Sequence, residues 1–327
     1  MDNHGGIVPT ANIHKRLTMK KIAISIGDLN GIGIQLALEN HEQITKIIDP
    51  IYCIDPKMLQ QASTLLNLPI PSDFKTVTKI AKEFTIEPAQ VTKASGVYSF
   101  ASFLKAVELS KQLEVEGIMT LPIHKKAWEL GGVTFKGHTD ALREFFFAPA
   151  IMMLGCPKMY VALYTEHIPL HQVAKEVKDV QKLSNFLIDF YDNIKDDLKE
   201  NEQIGLLGLN PHAGDDGVLG DEEREIREAR ALAHTRIGKE IYTNPLVPDV
   251  AFTPNSRKNH HYFVAMYHDQ GLAPLKALYF DEGINISLNL PIVRTSVDHG
   301  TAFDIAYKNA KLNNLSYLNA INYFVTT

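Results

Sequence analysis

The sequence predicts an α/β protein with a largely parallel sheet. Short apolar, β-branched runs recur along the chain, segments of helical periodicity lie between them, and a glycine-rich turn joins the first run to the first helix. The runs fall at 22–26, 51–54, 117–121, 160–164, 204–209, 263–267 and 284–288. Sheets of this kind bind ligands at the carboxyl ends of their strands, so function is expected in the loops that follow them.

Taken in order, the fold is expected to begin at Met19-Lys20-Lys21. Residues 1–18 lack the apolar stretch of a secretory signal and read as a leader segment. The first run ends in Gly27-Asp28-Leu29-Asn30-Gly31-Ile32-Gly33. This is neither G-x-G-x-x-G nor a Walker loop, so a nucleotide-binding turn and a plain tight turn that needs glycine are equal readings. The polar stretch 69–93 reads as a surface excursion. Phe100, Phe103, Leu104 and Val107 share the spacing of one buried helix face. Asp221 is a candidate N-cap, with Glu222 and Glu223 in the positive first turn of a charged helix. There is no repeat and no Gly/Ser linker, so the domains are expected to interweave.

The 327 residues suggest about two domains. A 45% hydrophobic and 22% charged composition is that of a globular chain. Thirty-three Lys and Arg against 38 Asp and Glu leave a net charge of −5, without the basic excess a nucleic-acid binder uses. Two cysteines, Cys53 and Cys156, are too few for a disulfide framework, which points to a reducing cytoplasm. No apolar run is long enough to span a membrane.

Among thirteen histidines, context singles out a few. His167, His212 and His268 each follow an apolar run and would converge at one sheet edge. Three imidazoles with an open fourth position could hold a divalent ion that polarises a hydroxyl or carbonyl oxygen. Their separations match no local metal motif, and surface or core roles remain the alternative. His4, His14, His41, His171, His234, His260 and His261 keep those ordinary roles. Lys276, Asn285 and Arg294 end short apolar runs and suit anion recognition. Asp298-His299-Gly300-Thr301-Ala302 is expected to open a helix whose free N–H groups could meet an anion.

Together the Gly27-Asp28 loop and the blocks Leu121-Pro122-Ile123-His124-Lys125, Gly137-His138-Thr139, Met152-Met153-Leu154, Asn210-Pro211-His212-Ala213-Gly214, Met266-Tyr267-His268-Asp269-Gln270-Gly271 and Arg294-Thr295-Ser296-Val297-Asp298-His299-Gly300-Thr301-Ala302 resemble the 4-hydroxythreonine-4-phosphate dehydrogenase family of vitamin B6 biosynthesis. The resemblance implies a two-domain fold similar to the isocitrate and isopropylmalate dehydrogenases. One domain would join 19–120 to 247–327, and 121–246 would form the central one. It implies a homodimer with shared active sites, in which His268 reaches across to the pair His167 and His212. It also implies one zinc, cobalt or magnesium ion on those histidines. His138, Thr139, Lys276, Asn285 and Arg294 would form the substrate shell, Asp298, His299, Gly300 and Thr301 the NAD or NADP loop, and Lys276 or Asp249 the general base. The substrate implied is 4-phosphooxy-L-threonine, with another phosphorylated or carboxylated hydroxy acid as the alternative. A metallohydrolase or a transferase of similar fold would show no nicotinamide dependence. Leu29, Asn30, Ile34 and Gln35 stand where the family usually has Pro, Ala, Pro and Glu, which changes the first loop's stiffness and removes its carboxylate.

Overall fold

The computed structural model describes residues 19–326; the leader segment, with His4 and His14, lies outside the described residues. The chain runs β1 (Lys21–Ser25), α1 (Gly33–Ile44), β2 (Asp49–Cys53), α2 (Pro56–Leu66), α3 (Lys93–Lys111), β3 (Gly117–Thr120), α4 (Lys125–Leu130), α5 (His138–Phe146), β4 (Ile151–Cys156), β5 (Met159–Leu163), α6 (Leu170–Val177) and α7 (Val180–Ile194). It continues through β6 (Gly205–Leu206), a tight turn Pro211–Gly217, α8 (Glu222–Ile237), α9 (Pro254–Asn259), β7 (Tyr262–Ala265), α10 (His268–Tyr279), β8 (Ile284–Leu288), β9 (Val293–Val297) and α11 (Leu315–Thr326). Among these, no helix is long and apolar enough to cross a membrane.

The strands form one nine-stranded sheet in the order β2-β1-β3-β9-β8-β4-β5-β7-β6. Parallel pairs make up both wings, while the central neighbours β9-β8, β8-β4 and β4-β5 are antiparallel. The expected α/β class and mostly parallel sheet are present. The runs at 22–26, 51–54, 117–121, 160–164, 263–267 and 284–288 each overlap a strand, and 204–209 contains the short β6. Sequence patterning missed β4 and β9, the strands that join the two wings.

Alternation divides the sheet into two faces. On one, Ile22, Ile24, Met119, Ile286, Met153, Ala162 and Val264 enter a continuous core under α11. On the other, two separate apolar patches form. Ala23, Ile118, Phe103 and Trp128 close the first, beneath α3, α4 and α5. Leu154, Val161, Leu163, Phe263, Leu272 and Leu275 close the second, beneath α10. Between them the face is polar.

Helix α3 shows where simple periodicity misleads. Phe103 and Val107 are buried, but Leu104 is 39% exposed, so it does not belong to the expected buried face. The face is completed by serines: Ser95, Ser99, Ser102 and Ser110 are all buried. Ser99 and Ser102 accept from the Trp128 ring and from Ile26 N, and Ser95 donates to Asp28. Ser102 Oγ accepts from Ile26 N at 2.8 Å and donates to the Cys53 carbonyl at 2.7 Å, tying the ends of β1 and β2 together. Asp221 precedes α8 as expected, but its side chain makes no capping bond.

The Ser102 bridge makes the first testable point. Ser102→Ala leaves a buried N–H and a buried C=O unpaired, a cost of about 1–3 kcal/mol. A lower urea midpoint at unchanged m value is the expected outcome; an unchanged midpoint would show that Ser102 holds nothing.

Candidate active site

The polar gap on the sheet face is the floor of a cavity of about 1020 Å³. Register builds this floor. Arg294 lies opposite Ser287 across the antiparallel β8–β9 pair, and Asn285 lies opposite Ser296. Ser296 in turn neighbours Thr120 on β3. A period of two then puts Thr120, Asn285, Ser287, Arg294 and Ser296 on the same face.

Arg294 is only 3% exposed. Its guanidinium donates to Thr120 Oγ1 from Nε at 3.1 Å and from Nη2 at 2.5 Å, and Nη1 lies 3.5 Å from both Asn285 Oδ1 and Ser287 Oγ. Nη2 also meets His138 Nδ1 at 3.1 Å. Every one of these partners is a neutral group, and Arg294 enters no ion pair among the described residues. Burial alone pulls its pKa down to about 9, so the guanidinium remains a cation at neutral pH. Burial first, then the Arg294 charge, hold His138 far below the ordinary histidine range. His138 is therefore a neutral acceptor for Arg294, and its Nε2 is buried without a partner. Thr139 Oγ1 bonds Ser287 Oγ at 3.2 Å.

Helix α10 supplies the facing wall. His268, Leu272 and Lys276, spaced four apart, all line the cavity. Lys276 Nζ bonds Asp298 Oδ2 at 2.7 Å. His268 Nδ1 lies 2.6 Å from Asp269 Oδ1, which leaves Nε2 free to bind. His167 follows β5, the neighbour of β7, and its ring lies 5.5 Å from that of His268. Burial, ahead of the nearby charges, lowers the His167 pKa and favours the neutral, ligating imidazole.

His212 and Asp249 do not reach this cavity. His212 is exposed on the Pro211–Gly217 turn, where it, Ala213, Asp215 and Asp216 all have positive φ. Glu223 Oε1 accepts from Leu209 N and Asn210 N, anchoring that turn on α8 rather than capping the helix. Asp249 lies on an exposed turn. Accordingly, no three His, Cys, Asp or Glu side chains among the described residues are grouped to hold a metal ion within one chain. The two gathered imidazoles have donor chemistry that suits a divalent ion.

The helix expected after Asp298 is absent. Left-handed conformations at Ala302, Tyr307 and Asn309 interrupt the run, and a helix needs negative φ throughout. Asp298, His299 and Gly300 line the cavity, but Thr301 turns away: its carbonyl accepts from Ile32 N at 3.1 Å. The glycine-rich loop packs there so closely that a Cβ on Gly31 would lie 2.8 Å from the Thr301 oxygen. Gly27, at φ +67°, similarly abuts the Pro122 carbonyl. The loop therefore shapes the 298–301 segment and does not itself line the cavity.

The 69–93 stretch is more than a surface excursion. Asn30 Oδ1 accepts from Glu87 N, its Nδ2 donates to the Gln90 carbonyl, and its own carbonyl accepts from Ala89 N. Sequence reading also missed Thr120 and Lys125 of the cavity lining, and Ser287, which bonds Thr139 and Arg294 behind it. The alternation in Ile284-Asn285-Ile286-Ser287-Leu288 was the available signal for Ser287.

Comparison with known proteins accords with this geometry. Residues 46–324 match the family model described as pyridoxal phosphate biosynthetic protein PdxA. The chain is 56% identical over 301 residues to the 4-hydroxythreonine-4-phosphate dehydrogenase of Sulfurimonas denitrificans, covering 92% of this chain and 95% of that one. It is 49% identical over 310 residues to that of Campylobacter fetus, covering 94% and 98%. A crystal structure of the Klebsiella pneumoniae 4-hydroxythreonine-4-phosphate dehydrogenase superposes with a TM-score of 0.78 at 29% identity, covering 94% of this chain and all of that one. The chain belongs to the PdxA family of 4-hydroxythreonine-4-phosphate dehydrogenases.

Proposed function

We propose that the protein oxidises 4-phosphooxy-L-threonine at C3 to 2-amino-3-oxo-4-phosphooxybutanoate, which loses carbon dioxide to give 3-amino-2-oxopropyl phosphate on the route to pyridoxal 5'-phosphate. The observation that carries this reading is Arg294, a buried cation with only neutral partners on a cavity floor. A buried charge left unpaired is costly, so such a site is built for an anion that arrives with the ligand.

His138, Thr139, Lys276, Asn285 and Arg294 hold the substrate. Two groups complete the site: a divalent ion, zinc, cobalt or magnesium, supplies Lewis acidity toward the substrate hydroxyl, and the nicotinamide of NAD or NADP supplies the hydride acceptor. His167 and His268 would hold the ion, and Asp298, His299 and Gly300, shaped through Thr301, would seat the dinucleotide. Of the two candidate bases Lys276 lines the cavity, whereas Asp249 stands elsewhere, so the proton falls to Lys276, which must enter the step as the neutral amine released from its ion pair with Asp298.

The placement of His212 supports a homodimer, with a change in how its sites are shared. His167 and His268 gather in one chain, so His212 comes from the second copy rather than His268. The lobes proposed for an isocitrate dehydrogenase-like cleft, 19–120 with 247–327 and 121–246, interweave at β7, which pairs with β5 and β6.

Three experiments test this function. Purified protein with the phosphorylated substrate, divalent metal and NAD or NADP should generate reduced nicotinamide, and a chelator should abolish it. Turnover that ignores the nucleotide would replace the dehydrogenase with a metallohydrolase.

In refolding mixtures, His212→Ala and His268→Ala chains should together recover about a quarter of wild-type activity. About half of the dimers are mixed, and one of their two sites is intact. His167→Ala with His268→Ala should recover none. Recovery by both mixtures would restore the partition in which His268 reaches across to the His167 and His212 of the second copy.

His138 sets an acid limit on stability. Its folded pKa lies below the ordinary 6.5, so as pH falls through that value the unfolded chain binds a proton that the fold refuses. The stabilisation is complete above pH 6.5 and is lost toward the folded pKa. The urea midpoint should thus fall between about pH 7 and 5, and fall less in His138→Asn. Equal slopes would show that His138 titrates freely in the fold.

A further inference from the structure

The substrate of the proposed reaction carries two anionic groups, a phosphate and a carboxylate, and the cavity's cations divide unequally between them. Three are already committed: Arg143 to Glu166, Lys182 to Glu176, and Lys276 to Asp298. Arg294, Lys125 and Lys136 line the same cavity and form no ion pair among the described residues. Arg294 has the hydroxyls of Thr120 and Ser287 around it, with Thr139 bonded to Ser287. Several donors around one guanidinium suit a tetrahedral phosphate with three oxygens. The carboxylate then still lacks a cation.

Lys125 follows the carboxyl end of β3, the strand beside the β9 that carries Arg294. Its charge and that of Arg294 are the two that act on His138, whereas Lys136 does not figure there. Lys125 therefore stands over the same floor as Arg294. We propose that Lys125 binds the substrate carboxylate, opposite the phosphate seated on Arg294. A lone ammonium at an exposed position holds a carboxylate loosely. That suits a group which must afterwards leave as carbon dioxide.

The inference rests on the dehydrogenase reading, and steady-state kinetics separates the two. Wild-type protein that fails to turn over 4-phosphooxy-L-threonine overturns that reading, and this assignment with it. Given turnover, Lys125→Met should raise KM for the substrate about 2- to 5-fold, the loss of one exposed ion pair, with kcat changed less. The inhibition constant of inorganic phosphate should stay at its wild-type value, and Lys125→Arg should restore KM. An unchanged substrate KM in Lys125→Met overturns the assignment. So does a parallel rise in KM and in the phosphate inhibition constant, which would place the phosphate on Lys125.

Discussion

The constraint on which the rest of the structure depends is the burial of Arg294 without a carboxylate. A guanidinium taken out of water in the middle of a sheet is tolerated only when nearby groups accept its hydrogen bonds. The sheet meets that demand by changing strand direction at its centre. With β8 antiparallel to β9, Ser287 falls directly opposite Arg294 and Asn285 lies two residues away on the same face. Parallel pairing with β3 brings Thr120 alongside. The wings can stay apolar because the centre is not. The helices then cover the sheet in two separate patches, α3 to α5 on one side and α10 on the other, and the uncovered strip between them is the cavity.

The wall that carries Asp298 to Gly300 depends on a second set of contacts. No helix stiffens it, and its backbone passes through left-handed conformations that alanine, tyrosine and asparagine adopt only under restraint. The restraint comes from the glycine-rich loop. Ile32 N bonds the Thr301 carbonyl, and the Tyr307 hydroxyl bonds the Leu29 carbonyl at 2.6 Å. That loop has no proline, and Asn30 stiffens it by fastening its side chain and carbonyl to 87–90. The buried Asp28 carboxylate, its pKa raised by burial, bonds Asn30 N and Ser95 Oγ and closes the same clasp. A stretch whose sequence looks featureless thus supports the loop that shapes the cavity wall.

Much of the fold was legible because strands and helices bury faces of different period, and the runs that met that condition cleanly were located. The failures share a cause. Strand β9 begins just after Pro291 and carries a charge at its second residue, and β4 is uniformly buried with no alternation to detect. Leu104 has the spacing of a core residue but points outward, since the serines of α3 take its place to serve buried donors. Asn285 and Arg294 stand out as polar residues in apolar runs, whereas Thr120 and Ser287 acquire meaning only from register, which no local pattern encodes. His212 and Asp249 carry suggestive neighbours, yet their turns face away from the cavity of their own chain.

Helix α10 brings these parts to a common scale. His268 and Lys276 are eight residues apart, about 12 Å along a helix axis, and Leu272 between them keeps the intervening wall apolar. The imidazole end faces His167 and the lysine end meets Asp298, so the wall grades from metal-ligating chemistry to the loop beside Gly300. A four-carbon phosphorylated acid occupies only a fraction of about 1020 Å³. Asp298, His299 and Gly300 line the same cavity, which has room for a second ligand beside the first. A reaction between two bound ligands requires that they be held side by side, and a cavity of this size can accommodate both.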